Sequence, residues 1–261
     1  MTSRFLRAAP VLLTSALALA ACQTAPAANA GFLQSYDGLT TKEGTLRVSV
    51  RDRRDEAATQ GIERLYVEPA VLIEGAAEGI DPVDVSRVLG EVDRQVCYEL
   101  SERFTVLPSP AADAARVRAA VTRIVPTGAV GSGASAVANF FIPGPIGVRP
   151  PGTTGMLAAE AELVSVDGRQ VAALAWARQA NVVGTDTPSL SRVGDALQFA
   201  EQFGDQVGDS FSPADRKVRP IADPDPCERF GPREQLGGFL TRAVTGLYVP
   251  ETQGVQPQAP Q

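Results

Sequence analysis

Few side chains in this sequence could carry out chemistry, because the chain contains no histidine. Histidine is the usual general base near neutral pH and the commonest transition-metal ligand. Its absence excludes Ser-His-Asp and Cys-His catalysis and the usual His-containing zinc sites. Carboxylate chemistry remains possible, and three cysteines are present, Cys22, Cys97 and Cys227. The sequence therefore predicts a protein that is not an enzyme and that uses no cofactor and no metal.

Cys22 ends an N-terminal segment that is typical of an export signal. Arg4 and Arg7 precede a run of small and apolar residues, 11–21. This run is shorter than the roughly 20 apolar residues that a membrane-spanning helix needs. It ends in Leu19-Ala20-Ala21-Cys22, which resembles the lipobox of bacterial lipoproteins. The resemblance implies cleavage before Cys22 and attachment of a diacylglyceryl group to its thiol. The alternative is an ordinary signal peptide that is cut after Ala28-Asn29-Ala30.

The residue after the lipobox cysteine bears on localisation. Gln23 stands where an Asp would be the familiar signal for retention in the inner membrane. The resemblance therefore favours the outer membrane, with the folded domain facing the periplasm. In that oxidising compartment Cys97 and Cys227 are predicted to form a disulfide. Two unpaired thiols, one of them buried, are the alternative.

Glu160 and Glu162 are a candidate carboxylate pair. Residues two apart on a strand lie on the same face of a sheet. Such a pair could serve a carboxylate-dependent hydrolase that acts on envelope polymers. An exposed, solvated sheet face explains the two acidic residues equally well.

The glycine- and proline-rich stretch 128–155 contains a candidate interaction loop. Its segment Gly131–Ala136 superficially resembles a dinucleotide-binding phrase, but no acidic residue follows at the required distance. Phe140, Phe141 and Ile142, framed by prolines, are predicted to insert into a bilayer or into the groove of a partner. The alternative is a long crossover whose aromatic residues cover the core.

Composition limits the classes of partner. The net charge is −6, and Lys42 and Lys217 are the two lysines in the sequence. Without a basic cluster there is no electrostatic footprint for nucleic acid. The expected partners are the membrane, through the N-terminal lipid, and an envelope protein or glycan.

Three amphipathic helices are predicted around these candidate sites. The first begins after the N-cap Asp81, with Pro82 at its first position, and carries apolar residues at helical spacing. The second runs from about Ser189 to Phe211, capped by Asp186 or Thr187. The third lies in the C-terminal part and includes Leu236, Phe239, Leu240, Ala243, Val244 and Leu247.

Strands are predicted at Thr45–Arg51, Arg64–Ile73 and Arg116–Val125. A hairpin is predicted from Met156–Val166 and Gln170–Val183, joined by a two-residue turn at Asp167-Gly168. The order of elements predicts an α+β fold. It consists of a single mixed or antiparallel sheet with two main amphipathic helices packed on one face, plus a C-terminal helical extension.

The phrase Gly31-Phe32-Leu33-Gln34-Ser35-Tyr36, shortly after the lipobox, resembles the opening of one family of bacterial lipoproteins. Tyr66-Val67 with Pro69, and Val166-Asp167-Gly168, match the same family. It is known only as a domain of unknown function. The resemblance covers roughly residues 31–211 and implies export and an α+β fold, without an activity.

The predicted organisation is a signal peptide at 1–21, a tether at 22–30, an α+β domain at 31–211, an extension at 212–249 and a disordered tail at 250–261. The predicted function is a non-catalytic envelope lipoprotein that binds or scaffolds a partner. The alternatives are the carboxylate-dependent hydrolase and an oligomeric structural component of the envelope, assembled from copies of this chain.

Overall fold

The computed structural model describes residues 27–42, 48–128, 147–150, 152–232 and 236–258. Their strands, in chain order, are β1 Thr40–Thr41, β2 Val48–Arg54, β3 Arg64–Val67, β4 Val71–Leu72, β5 Thr105–Val106, β6 Ala115–Val125, β7 Gly147–Val148, β8 Met156–Val164, β9 Gln170–Gln179 and β10 Val183–Gly184. Eight of them form one mixed sheet in the order β1-β2-β9-β8-β6-β3-β5, with β4 also paired to β6. The strands β7 and β10 form a separate antiparallel pair.

The helices are α1 Glu56–Gln60, α2 Pro82–Ser101, α3 Gly194–Phe211 and α4 Leu236–Thr245. Both long helices, α2 and α3, pack on one face of the sheet, so the predicted α+β fold is confirmed. They also pack on each other. A Cβ at Gly204 would lie 2.8 Å from the carbonyl carbon of Gln95, so the absence of a side chain allows this close approach.

Helix α2 follows its sequence signals closely. The Asp81 side chain accepts a hydrogen bond from the backbone N–H of Val83 at 2.8 Å, and Pro82 occupies the first turn. An N-cap of this kind satisfies a backbone donor that has no partner within the helix. The predicted apolar stripe is buried, with Val88, Val92, Val96 and Leu100 each at most 1% exposed.

Helix α3 begins later than the sequence suggested. The predicted caps Asp186 and Thr187 lie upstream of its first residue, Gly194. The Asp186 carboxylate instead binds the Arg178 guanidinium and the backbone N–H of Asn181. The acidic residue therefore closes a loop and does not cap a helix.

Two strand predictions also change in detail. The predicted strand Arg64–Ile73 is divided into β3 and β4 around Pro69, and both parts run parallel to β6. Proline has no N–H to donate to a ladder, which explains the break. The turn between β8 and β9 has three residues instead of two: Val166, Asp167 and Gly168. Gly168 has a φ of +84°, the left-handed geometry of a three-residue hairpin loop.

The central strands β8 and β9 are buried on both faces. On the helix side, Leu157, Leu163, Leu174 and Trp176 belong to the main core. On the opposite, or back, face the side chains are mostly alanine, and Ala27 and Leu39 of the N-terminal segment pack there. Small side chains allow this segment to lie close to the sheet.

The two ends of the sheet differ. At one end Val125 pairs with Met156, Met156 pairs with Gln179, and Val48 pairs with Arg178. The chain leaves and re-enters the sheet here on either side of residues 129–146, so we call it the loop end. The opposite, or hairpin, end carries the β8–β9 turn.

The sequence predicts disorder for the C-terminal tail, whereas in the structure its described residues, 250–258, contact α2. Pro250–Gln253 form a 3₁₀ turn, and Gln258 donates its backbone N–H to the Ser86 carbonyl at 2.9 Å. Gly90 makes room for this segment, since a Cβ there would lie 2.5 Å from the Gln256 carbonyl oxygen. The composition of the tail is typical of disorder, but this contact with α2 orders it.

Candidate functional site

The candidate carboxylate pair lies on the back face of the sheet and is fully buried. Glu160 is 1% exposed and Glu162 is 0% exposed. The exposed sheet face considered for them is therefore absent, because residues 27–36 cover it. We call residues 27–36 the strap.

Both carboxylates bind the strap. Glu160 accepts hydrogen bonds from the Ala30 N–H at 2.9 Å and from the Tyr36 hydroxyl at 2.6 Å. Glu162 accepts from the Gln34 N–H at 2.8 Å. Within the sheet Glu162 also binds Arg118 at 2.5 Å and Gln170 at 2.8 Å. A buried carboxylate without such partners would cost several kcal/mol, so the strap and the two glutamates stabilise each other.

The phrase Gly31–Tyr36 folds around a single oxygen atom. The Tyr36 hydroxyl accepts hydrogen bonds from three successive backbone N–H groups, those of Gly31 (2.7 Å), Phe32 (3.0 Å) and Leu33 (3.4 Å). Burial and the hydrogen bond to Glu160 raise the pKa of Tyr36 above its ordinary value. The phenol therefore keeps its proton and remains a donor to the carboxylate.

The ends of the strap are fixed as well. Ala27 donates its N–H to Ser49 Oγ at 2.9 Å and accepts a hydrogen bond from Arg51 at 2.7 Å. The Arg118 guanidinium lies 5.0 Å from the centre of the Phe32 ring, within the range of a cation–π contact. The predicted tether 22–30 is thus shorter at its C-terminal end, because residues 27–30 already lie on the sheet.

A buried ion pair between Arg149 and Asp195 connects the elements at the loop end. Arg149 and Asp195 are 2% and 0% exposed, and their two bonds measure 2.7 and 3.0 Å. Asp195 also accepts from the Gly155 N–H at 2.6 Å, and its own N–H donates to Thr127 Oγ1 at 3.0 Å. A Cβ at Gly155 would lie 2.8 Å from that Oγ1. The pair therefore joins both flanks of residues 129–146 to the start of α3.

The other predicted site residues have different outcomes. Cys97 and Cys227 form the predicted disulfide, with a Cα–Cα distance of 5.8 Å. Cys22 and the predicted interaction loop Phe140-Phe141-Ile142 lie outside the described residues, so both stay predictions.

The C-terminal extension and strand β5 enclose a groove of about 570 Å³. Phe104 and Val106 form one wall, and the proline-rich segment 219–229 forms the other. Arg229 fixes this segment by donating to the Pro108 and Val67 carbonyls at 2.8 and 3.1 Å. The groove is a candidate binding surface.

An acidic cluster lies where α2 and α3 meet. Burial, and then the negative charges of Glu99, Glu201 and Asp209, raise the pKa of Asp205 to about 7. Arg103 offsets part of this charge by binding Glu99 at 2.9 Å and Asp209 at 3.1 Å. Among the residues that the structure describes, no group of three or more Asp, Glu or Cys side chains is placed to hold a metal ion.

Sequence reasoning missed the strap contacts, the Arg149–Asp195 pair and the docked tail. One available signal was the uniform apolar character of Ala172–Ala177, which indicates a strand covered on both faces. The Arg149–Asp195 pair joins residues 46 positions apart, and no local pattern indicates such a contact.

Together these features define a class of protein: an α+β domain whose sheet carries two helices on one face and its own N-terminal segment on the other. The chain belongs to the family described as protein of unknown function (DUF3313), whose profile matches residues 28–207. The match includes most of the strap and ends within α3, so the extension with Cys227 lies beyond it.

Similarity to solved structures is low. The chain is 14% identical to PelC in the structure of the PelC dodecamer from Paraburkholderia phytofirmans, with a TM-score of 0.38 over 63% of this chain and 97% of PelC. A single-substitution variant of PelC gives 12% identity and a TM-score of 0.36 over 62% and 97%. No curated protein matches the chain.

Proposed function

We propose that this protein is a lipid-anchored, non-catalytic scaffold or binding module of the cell envelope, attached through Cys22 to the outer membrane and facing the periplasm. The lipobox-like phrase Leu19-Ala20-Ala21-Cys22 and the Gly31–Tyr36 opening support this reading. In the part of the chain that the structure describes, no helix is long and apolar enough to cross a membrane.

The observation that carries the proposal is the strap. Four residues separate Cys22 from Ala27, and from Ala27 onward the chain is bound to the sheet. The two buried carboxylates Glu160 and Glu162 act as its anchoring points. An acyl group on Cys22 would therefore be coupled to the centre of the sheet through an ordered segment.

The same contacts weigh against the hydrolase alternative. A catalytic acid and base need access to substrate and water, whereas Glu160 and Glu162 are buried and hydrogen-bonded to the strap. The scaffold reading thus assigns these residues a structural role.

One observation favours the oligomeric alternative. Leu240 and Val244 of α4 are 61% and 79% exposed and lie four residues apart, on one face of the helix. A second copy of the chain could cover them, in which case the protein would be a structural component of the envelope.

The test of anchoring is metabolic labelling with a palmitate analogue, followed by separation of the membranes. The full chain should carry label and sediment with the outer membrane, and Cys22→Ser should lose both. Gln23→Asp is the matched control: it should keep the label but move to the inner membrane in a host that uses this sorting signal. Equal membrane association of Cys22→Ser and the unchanged chain would refute the proposal.

The non-catalytic binding role is tested by crosslinking in intact cells. A partner should crosslink from the groove beside Phe104, and the yield should fall when Arg229→Ala removes two hydrogen bonds that help to hold its second wall. Hydrolysis of envelope polymers by the purified protein, abolished by Glu160→Gln while the fold is kept, would overturn the assignment.

A further inference from the structure

Exposed apolar side chains are concentrated at the loop end of the sheet. Five of them belong to two neighbouring segments, which we call together the apolar end: Val182 (40% exposed), Val183 (58%), Leu190 (55%), Leu240 (61%) and Val244 (79%). The structure joins these segments, because Tyr248, just after α4, donates its N–H to the Pro188 carbonyl at 2.9 Å. The C-terminal end of α4 therefore lies beside the segment that carries Val182, Val183 and Leu190.

The N-terminal segment reaches the sheet at this same end. Ala27 belongs to the same apolar cluster as Met156 and Ala177, and Ala177 pairs with Ser49, which binds the Ala27 N–H. Strand β9 ends two residues beyond Ala177, and Val182 follows soon after. The start of the strap and the apolar end are thus at the same side of the molecule.

The length of chain before Ala27 limits how far this end can be from a lipid on Cys22. Five Cα-to-Cα steps connect the two residues, and an extended chain covers at most about 18 Å over that length. Anchored in this way, the loop end remains within reach of the bilayer interface. The hairpin end lies a full strand length farther from the anchor.

We propose that the apolar end is a membrane-contact surface, in which Val182, Val183, Leu190 and the exposed face of α4 enter the lipid interface beside the acyl anchor. This inference rests on the proposed lipidation of Cys22. Apolar side chains gain free energy when they leave water for the interface. Arg192, exposed beside Leu190, suits the anionic headgroups at such a surface.

The occupant is assigned as lipid because the anchor brings this surface to the bilayer. A second copy of the chain would instead have to fit between the apolar end and the bilayer. The short segment between Cys22 and Ala27 limits that space. Membrane contact also gives the protein a fixed orientation, with the groove beside Phe104 at the far end of the sheet and available to a periplasmic partner.

The test uses the full acylated chain in vesicles of phosphatidylethanolamine and phosphatidylglycerol, with and without brominated phosphatidylcholine. A bimane fluorophore is attached at Val183→Cys or at Val244→Cys. Native thiols do not interfere, since Cys97 and Cys227 are joined and Cys22 is acylated. The matched control is Val166→Cys at the hairpin end, where the native side chain is 61% exposed, against 58% at Val183.

Brominated lipid should quench the fluorophore at positions 183 and 244 by about twofold, as expected for side chains at the lipid interface, and should leave position 166 unchanged. If the chain floats with the vesicles but positions 183 and 244 are quenched no more than 166, the contact surface is wrong while the anchor stands. If the chain lacks acyl mass and does not float, both proposals fall. Concentration-dependent self-association that shields position 244 without quenching would show that a second copy is the occupant.

Discussion

Replacing Tyr36 by phenylalanine isolates the hydroxyl that organises the strap. The change removes the donor to the buried Glu160, at 2.6 Å, and the acceptor for three backbone N–H groups. Loss of a hydrogen bond to a charged group costs about 1.5–3 kcal/mol. The N–H of Gly31 is exposed and can bind water instead, so its loss adds little.

We therefore expect Tyr36→Phe to lower the free energy of unfolding by about 2–3 kcal/mol, a large share of the 5–15 kcal/mol that is typical of a domain. The assay is urea denaturation of the chain begun at Gln23. With an m-value of about 2 kcal/mol/M, the midpoint should fall by about 1 M. Limited proteolysis should show earlier cleavage within the strap.

The matched control is Tyr66→Phe. Its ring packs against the Arg229 guanidinium at 5.2 Å, and among the described residues its hydroxyl has no recorded hydrogen bond, so the midpoint should barely move. If Tyr36→Phe shifts the midpoint no more than Tyr66→Phe does, the strap is not held by this oxygen atom and the reasoning fails.

Three further predictions concern other buried contacts. Gly90→Ala should displace residues 256–258 of the tail, because the new Cβ would lie 2.5 Å from the tail backbone. Amide hydrogen exchange of the tail should then rise, and an unchanged rate would contradict its contact with α2. Arg149→Met should cost about 3–5 kcal/mol by leaving a buried charge unpaired, whereas Arg149→Met with Asp195→Asn should recover part of that loss in urea denaturation. Burial raises the pKa of Asp93 to about 6, so at this residue the folded state binds more protons and its contribution to stability should fall as pH rises from about 4 to about 6. In urea denaturation at several pH values, Asp93→Asn should remove this contribution, and equal pH slopes for the variant and the unchanged chain would refute the prediction.

The elements that the sequence predicted correctly are those with local signals. Helix α2 has an N-cap, a proline in its first turn and an apolar stripe, all within 20 consecutive residues. Strand β6 has the expected bounds to within one residue, Ala115–Val125. The disulfide was predicted from the number of cysteines and the expectation of an oxidising compartment. Each of these inferences needs only nearby residues or composition.

What the sequence did not predict depends on contacts between distant residues. Asp186 has the residue type and the sequence position of a helix cap. Its carboxylate instead binds Arg178, near the end of β9. The tail has a composition typical of disorder, and it is ordered by the free space at Gly90 on α2, some 165 residues earlier in the chain. Glu160 and Glu162 alternate with apolar residues, a pattern typical of a strand with one exposed face. The strap that covers them lies about 125 residues earlier in the sequence.

The geometry of the strap also determines how the domain would bear mechanical load. A pull transmitted along the chain ahead of Ala27 acts first on the Ser49 and Arg51 contacts and then on Glu160 and Glu162 in turn. Because the strap is bound to β2 through Ser49 and Arg51 and to β8 through Glu160 and Glu162, these contacts would be loaded one after another before the edge strand β1 is reached. A pull on the N-terminal segment would thus meet contacts with two strands inside the sheet before it reached the edge strand.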